Sequence, residues 1–126
     1  MKNVSIVTII ILVGGCLGFL GLPWWVLPLI AATATFFFPL TGGKSYATGF
    51  AAGTLLWTAV AIIQNAGNAG LLSGRIGQLF MGLQPYQLLM LTGLMGGLLG
   101  GFGALTGTYF RLVVFPPKPQ RYTGYR

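Results

Sequence analysis

The chain has 126 residues, of which 55% are hydrophobic and only 6% charged, and it contains no aspartate, glutamate or histidine. So few charges cannot cover a globule with a hydrated surface, so the composition points to a bilayer and excludes an ordinary soluble domain. The net charge of +7 comes wholly from Lys2, Lys44, Arg75, Arg111, Lys118, Arg121 and Arg126.

The first apolar run covers residues 4–20. Its opening, MKNVSIVTIIILVGGC, resembles a bacterial lipoprotein signal in which Cys16 would be lipidated. The residues that follow, LGFLGLPWW, continue the hydrophobic run instead of opening a polar tether, so Cys16 reads as a small membrane-embedded residue. A single cysteine makes neither an internal disulfide nor a metal cluster. GLPWW carries turn signals and leads into a second span, 24–40, giving a tight helical hairpin. PLTGGK does the same before a third span, 45–64. TGGKS at 41–45 ends like a phosphate-binding loop. That motif requires glycine where this chain has Phe38, and a preceding strand, so the segment reads as a turn with an interfacial lysine.

The long connection NAGNAGLLSGRIGQLFMGLQP comes next. Gln64, Asn65 and Asn68 are expected to bond the free carbonyls at the end of the third helix. Leu72, Ile76, Leu79, Phe80 and Leu83 recur at helical spacing while Ser73, Arg75 and Gln78 face away. This predicts a short interfacial helix over 71–82 on the outer leaflet, with Arg75 as an outer-face lipid or partner contact. Pro85 opens the fourth span, 85–110, as prolines do at a first helical turn.

In that span TGLMGGLLGGFGALTG sets Gly93, Gly96, Gly97, Gly100, Gly101, Gly103, Ala104 and Gly107 on one side of the helix and Leu94, Met95, Leu98, Leu99, Phe102 and Leu105 on the other. Shorter versions occur as Gly14 with Gly18 and Gly49 with Gly53. Lipid provides little hydrophobic drive for helices to associate, so close backbone approach must supply the attraction, and glycine permits it. These glycines form the expected helix-packing interface, inside one chain or toward another.

FPPKPQRYTGYR cannot continue a helix past Pro116 and Pro117, so residues 116–126 are expected to form a basic, Pro-rich, extended cytoplasmic tail. Arg111, Lys118, Arg121 and Arg126 suit the anionic inner leaflet or a cytoplasmic partner. Basic residues are retained inside during insertion. With both termini cytoplasmic, six of the seven lie inside and only Arg75 outside.

The missing residue types are also informative. Proton-coupled transport needs an intramembrane carboxylate or histidine. A metal site lacks ligands, and a serine or cysteine nucleophile lacks its base. No catalytic residue, cofactor, metal or nucleic-acid partner is expected, and the chain reads as no enzyme. Small multidrug transporters are excluded by the absence of their membrane glutamate. GGFGALTGTYFR is similar to a Gly-rich stretch of dual-topology fluoride channels, but it lies in the last helix and the charge bias opposes dual topology.

Over residues 45–107, GFAAGTLLWTAVAIIQNAGNAGLLSGRIGQLF followed by LTGLMGGLLGGFGALTG resembles small four-span bacterial membrane proteins with no assigned activity. The expectation is therefore an all-α integral membrane protein of the bacterial inner (plasma) membrane. Four transmembrane helices form a compact bundle over 1–115. The expected role is a non-catalytic accessory subunit or assembly factor of a larger membrane complex, with membrane lipids and other integral membrane subunits, or itself, as partners. The alternative is a small homo-oligomeric channel for anions or neutral solutes.

Overall fold

The computed structural model describes residues 2–17, 21 and 23–117. Among them the chain is wholly helical: α1 (Lys2–Cys16), α2 (Val26–Phe37), α3 (Gly42–Gly67), α4 (Leu71–Leu79) and α5 (Pro85–Val114). Gly18, the tail residues Lys118, Arg121 and Arg126, and most of the expected tail lie outside the described residues.

Two of the four predicted spans are single helices long and apolar enough to cross a membrane, α3 with 26 residues and α5 with 30. At about 1.5 Å per residue they are about 39 and 45 Å long, against a hydrocarbon core of about 30 Å. The helices in the first two runs are shorter than the predicted spans, 15 residues in α1 and 12 in α2. Pro39 truncates α2. The residue before a proline is driven out of the helical region, and Phe38 stands at φ −112°, ψ 86°. By contrast α3 starts earlier than predicted, because Thr41 is extended and its carbonyl accepts from the Ser45 N–H at 2.8 Å.

Pro85 is at the first position of α5, and the Gln84 backbone N–H donates to the Gln87 side chain at 2.8 Å. Between α3 and α5, left-handed residues stand in pairs on either side of α4: Ala69 (φ 53°) with Gly70 (φ 72°), and Met81 (φ 60°) with Gly82 (φ 83°). They reverse the chain twice in a few residues. The end of α3 is closed by backbone bonds, Asn68 N–H to Gln64 O at 3.2 Å and Gly70 N–H to Asn65 O at 2.9 Å. The expected side-chain bonds from Gln64, Asn65 and Asn68 to those carbonyls do not form among the described residues, and the Asn65 and Asn68 side-chain oxygens are buried without a hydrogen-bond partner.

α1 packs on α2 and α3, and α5 packs on α3 and α2, so the four longer helices close a ring in the order α1, α2, α5, α3. The centre holds Val7, Ile11, Leu27, Ala31, Ala34, Ala52, Leu56 and Ala104. Every buried residue of α5 is glycine, alanine or threonine. Large apolar side chains such as Ile9, Leu29, Phe37, Leu55, Ile62, Met90, Leu94, Phe102 and Phe110 are exposed.

Candidate functional site: the glycine seam and its two ends

α3 and α5 run antiparallel and meet through glycine on both sides. Gly49 lies opposite Gly100, and Gly53 lies opposite Gly96 one turn further on. The approach is reciprocal. A Cβ on Gly49 would strike the Gly100 carbonyl oxygen, and a Cβ on Gly100 would strike that of Gly49. Gly53 and Gly96 repeat the pattern, the second with 2.8 Å to Gly53 O. Cα–H groups facing carbonyl oxygens in this way add weak hydrogen bonds to the dispersion contact.

The rest of the predicted glycine face is covered by larger side chains of the same protein. Gly93 lies under Thr58, Gly97 under Thr54 and Phe50, and Gly101 under Tyr46, whose Cε2 would be 2.7 Å from an added Cβ. The far edge meets α2 instead. Gly103 abuts the backbone of Pro28, with 2.6 Å from an added Cβ to its oxygen, and Gly107 abuts Ala32 and Thr35. Both available neighbours of the smooth face, α3 and α2, thus come from within the chain. On α1, Gly14 lies against Ile30 of α2, where a Cβ would be 2.9 Å from Cγ2, and not against another glycine surface.

At one end of the seam three helices are joined by hydroxyls. Thr35 Oγ1 of α2 and Ser45 Oγ of α3 both donate to Ala104 O of α5, each at 2.8 Å. Thr108 Oγ1 in turn donates to Ser45 Oγ at 2.7 Å. All three side chains are buried. In apolar surroundings such bonds cost little desolvation beyond what the helix already demands, and a missing partner leaves an uncompensated dipole. The periodicity of apolar residues carries no sign of this cluster. Its only trace in the sequence is hydroxyls placed inside otherwise apolar helices.

The cationic residues separate by end. Asn3 Nδ2, next to Lys2, donates to Pro39 O at 3.3 Å, Lys44 lies in the first turn of α3, and Arg111 lies in the last turn of α5. The Arg111 guanidinium is half-buried. It donates to Phe36 O and, at 3.3 Å, to Phe37 O, so it satisfies the free carbonyls of α2. Its Cζ also lies 5.9 Å from the Phe115 ring centroid. Arg75 is at the opposite end, exposed on α4. Ser73, expected to face away with it, turns inward and donates to Gly70 O at 3.0 Å. Gly77 lets the chain entering α5 pass close to α4, since a Cβ there would strike Leu83 O.

Among the described residues no group of His, Cys, Asp or Glu is placed to hold a metal ion. Fold and site together define an all-helical protein with two helices long and apolar enough to cross a membrane, joined by a glycine seam. No known protein family, curated protein or solved structure matched the chain.

Proposed function

We propose that the chain is a four-pass integral protein of the bacterial inner membrane that acts, without chemistry of its own, as an accessory subunit or assembly factor of a larger membrane complex. One observation carries the membrane reading. The buried face of α5 is wholly glycine, alanine and threonine, and the centre holds only four larger apolar side chains among the described residues, Val7, Ile11, Leu27 and Leu56, while many leucine, isoleucine, phenylalanine and methionine side chains are exposed on the outside of the helices. Water would penalise that arrangement by about 25 cal/mol for each Å² of apolar surface left exposed, whereas hydrocarbon does not.

The α1–α2 hairpin supports four passes. Lys2 lies at the Lys44 end of α3, and Trp24 lines the same hollow as Gln64 near the other end. The hairpin with its turn thus covers about 20 residues of α3, or about 30 Å. Lys2, Lys44 and Arg111 at one end favour a cytoplasmic N-terminus, with α4 and Arg75 at the outer leaflet. Because the glycine seam is occupied from within, contact with another subunit falls to the outer apolar faces. The channel reading would need a path between copies, and the seam lends it no support.

Recovery from native membranes in mild detergent tests the role. Stoichiometric recovery with other membrane proteins is expected. Recovery alone, with solute flux through liposomes containing only this chain, would overturn it.

A further inference from the structure

Two shallow apolar grooves flank α2 and share a wall. The groove between α1 and α2, of about 480 Å³, is lined by Ile10, Ile30 and Phe38 among others, and the groove between α2 and α5, of about 320 Å³, by Phe36, Gly107 and Phe110. Thr33 and Phe37 line both. We propose that the pair is a binding site for one anionic phospholipid that straddles α2, with an acyl chain in each groove and its phosphate on Arg111. The proposal rests on the membrane reading above.

Three observations select that ligand. The first is the chemistry of the walls. Their only hydroxyls are those of Thr33 and Thr106, and each donates to its own helix, Thr33 to Leu29 O at 2.8 Å and Thr106 to Phe102 O at 2.9 Å. The grooves thus offer hydrocarbon contact and no side-chain donor in need of a partner, which suits methylene chains and penalises a polar occupant.

The second is the guanidinium at their shared end. Arg111 Nη1 donates to the carbonyls of Phe36 and Phe37, two residues that wall the grooves, so it stands where the ridge between them stops. With Nη1 covering the negative end of α2, the N–H groups on Nε and Nη2 donate to no described residue. Phosphate oxygens match such a fork.

The third is charge. The chain has no Asp or Glu, so none of its side chains can neutralise Arg111, and Lys2 and Lys44 add positive potential at the same end. Small residues open the second groove. A Cβ on Gly107 would strike Ala32 O, so α2 and α5 nearly touch at its floor, while Phe36 and Phe110 frame its Arg111 end with ring centroids 5.8 Å apart.

Native mass spectrometry of the full chain in mild detergent tests the site, with palmitoyl-oleoyl phosphatidylglycerol and the phosphatidylcholine of the same chains added together. One phosphatidylglycerol is expected to be retained at least about 10-fold more strongly, the factor for one charge-assisted hydrogen bond. Lysophosphatidylglycerol keeps the headgroup but has a single chain, and should bind at least about 10-fold more weakly than the diacyl lipid. Arg111→Met should abolish the headgroup preference, whereas Arg75→Met, which removes the same charge at the opposite end, should leave it intact. Because Arg111→Met also loosens α2, Thr106→Trp serves as a second variant. It fills the α2–α5 groove without touching the guanidinium bonds, and should weaken phosphatidylglycerol by a similar factor.

Equal retention of the two diacyl lipids, wild-type binding by Thr106→Trp, or the same loss in Arg75→Met as in Arg111→Met would overturn the site. Alkaline carbonate extraction separates this outcome from failure of the membrane reading. A chain that stays in the membrane and shows no headgroup preference loses the site alone, whereas a chain released by carbonate loses the membrane reading and the site with it.

Discussion

At Gly49 a side chain has no room. An added Cβ would meet the Gly100 carbonyl and stand 2.7 Å from Ala104 Cβ, so Gly49→Val must push two backbones apart. Overpacking of this kind costs about 1–3 kcal/mol, and more where backbone is the obstacle. Gly74 in α4 has nothing within 4 Å of the same position. Gly74→Ala is expected to stabilise by up to about 1 kcal/mol through helix propensity. Reversible unfolding in detergent should show opposite signs for the two, and equal signs would refute the close-approach account. The hydroxyl cluster gives a second test at this scale. Ser45→Ala removes both a donor to Ala104 O and the acceptor of Thr108. Ser45→Ala and Thr108→Val are each expected to cost about 1 kcal/mol, with the double variant costing less than their sum. Strict additivity would separate the two hydroxyls energetically. Thr54 Oγ1 is buried over Gly97 with no hydrogen-bond partner, and nothing in its surroundings accounts for that.

At the scale of elements, α2 depends most on its neighbours. It has 12 residues, no side-chain cap at its start and a proline shortly after its end. Isolated helices of that length are marginal, so tertiary contacts must hold it. Arg111 supplies the one at its C-terminus by donating to the Phe36 and Phe37 carbonyls. Arg111→Met keeps the packing length and removes the donors. It is expected to fray the last turn of α2 and to cost about 1.5–3 kcal/mol, seen as faster amide exchange confined to residues near Phe36. Unchanged exchange there would mean that the guanidinium serves lipid instead. The residues of α2 showed an apolar run bounded by turn signals, and its helical character was legible from that. Its end before Pro39 is a local signal, but its dependence on Arg111 was not legible, because that partner lies in the last turn of a helix at the other end of the chain.

For the molecule as a whole, the lack of Asp, Glu and His has a thermodynamic consequence. Stability changes with pH only where the folded and unfolded states bind different numbers of protons. With no carboxylate or imidazole side chain to differ, the slope is zero between about pH 5 and 7. Detergent-solubilised protein should unfold at one midpoint across that window, and a drop toward pH 5 would require a titrating partner carried over from the membrane. Among the described residues the same absence leaves the long-range side-chain bonds to hydroxyls, the Asn3 carboxamide and the Arg111 guanidinium, so salt should affect the fold little.

Composition and periodicity by themselves determined that the chain is helical and that the α5 glycines share one side; they read four spans, of which α3 and α5 are single helices long and apolar enough for a bilayer. Each of these follows from residues near one another in the sequence, because helical phase and hydropathy are local quantities. Which neighbour fills the glycine side, what Arg111 grips and where three hydroxyls converge were decided only by tertiary packing. The hydrogen-bonded pairings join residues 59 to 75 positions apart. Contacts between glycine and backbone also leave no side-chain pattern from which a partner can be read.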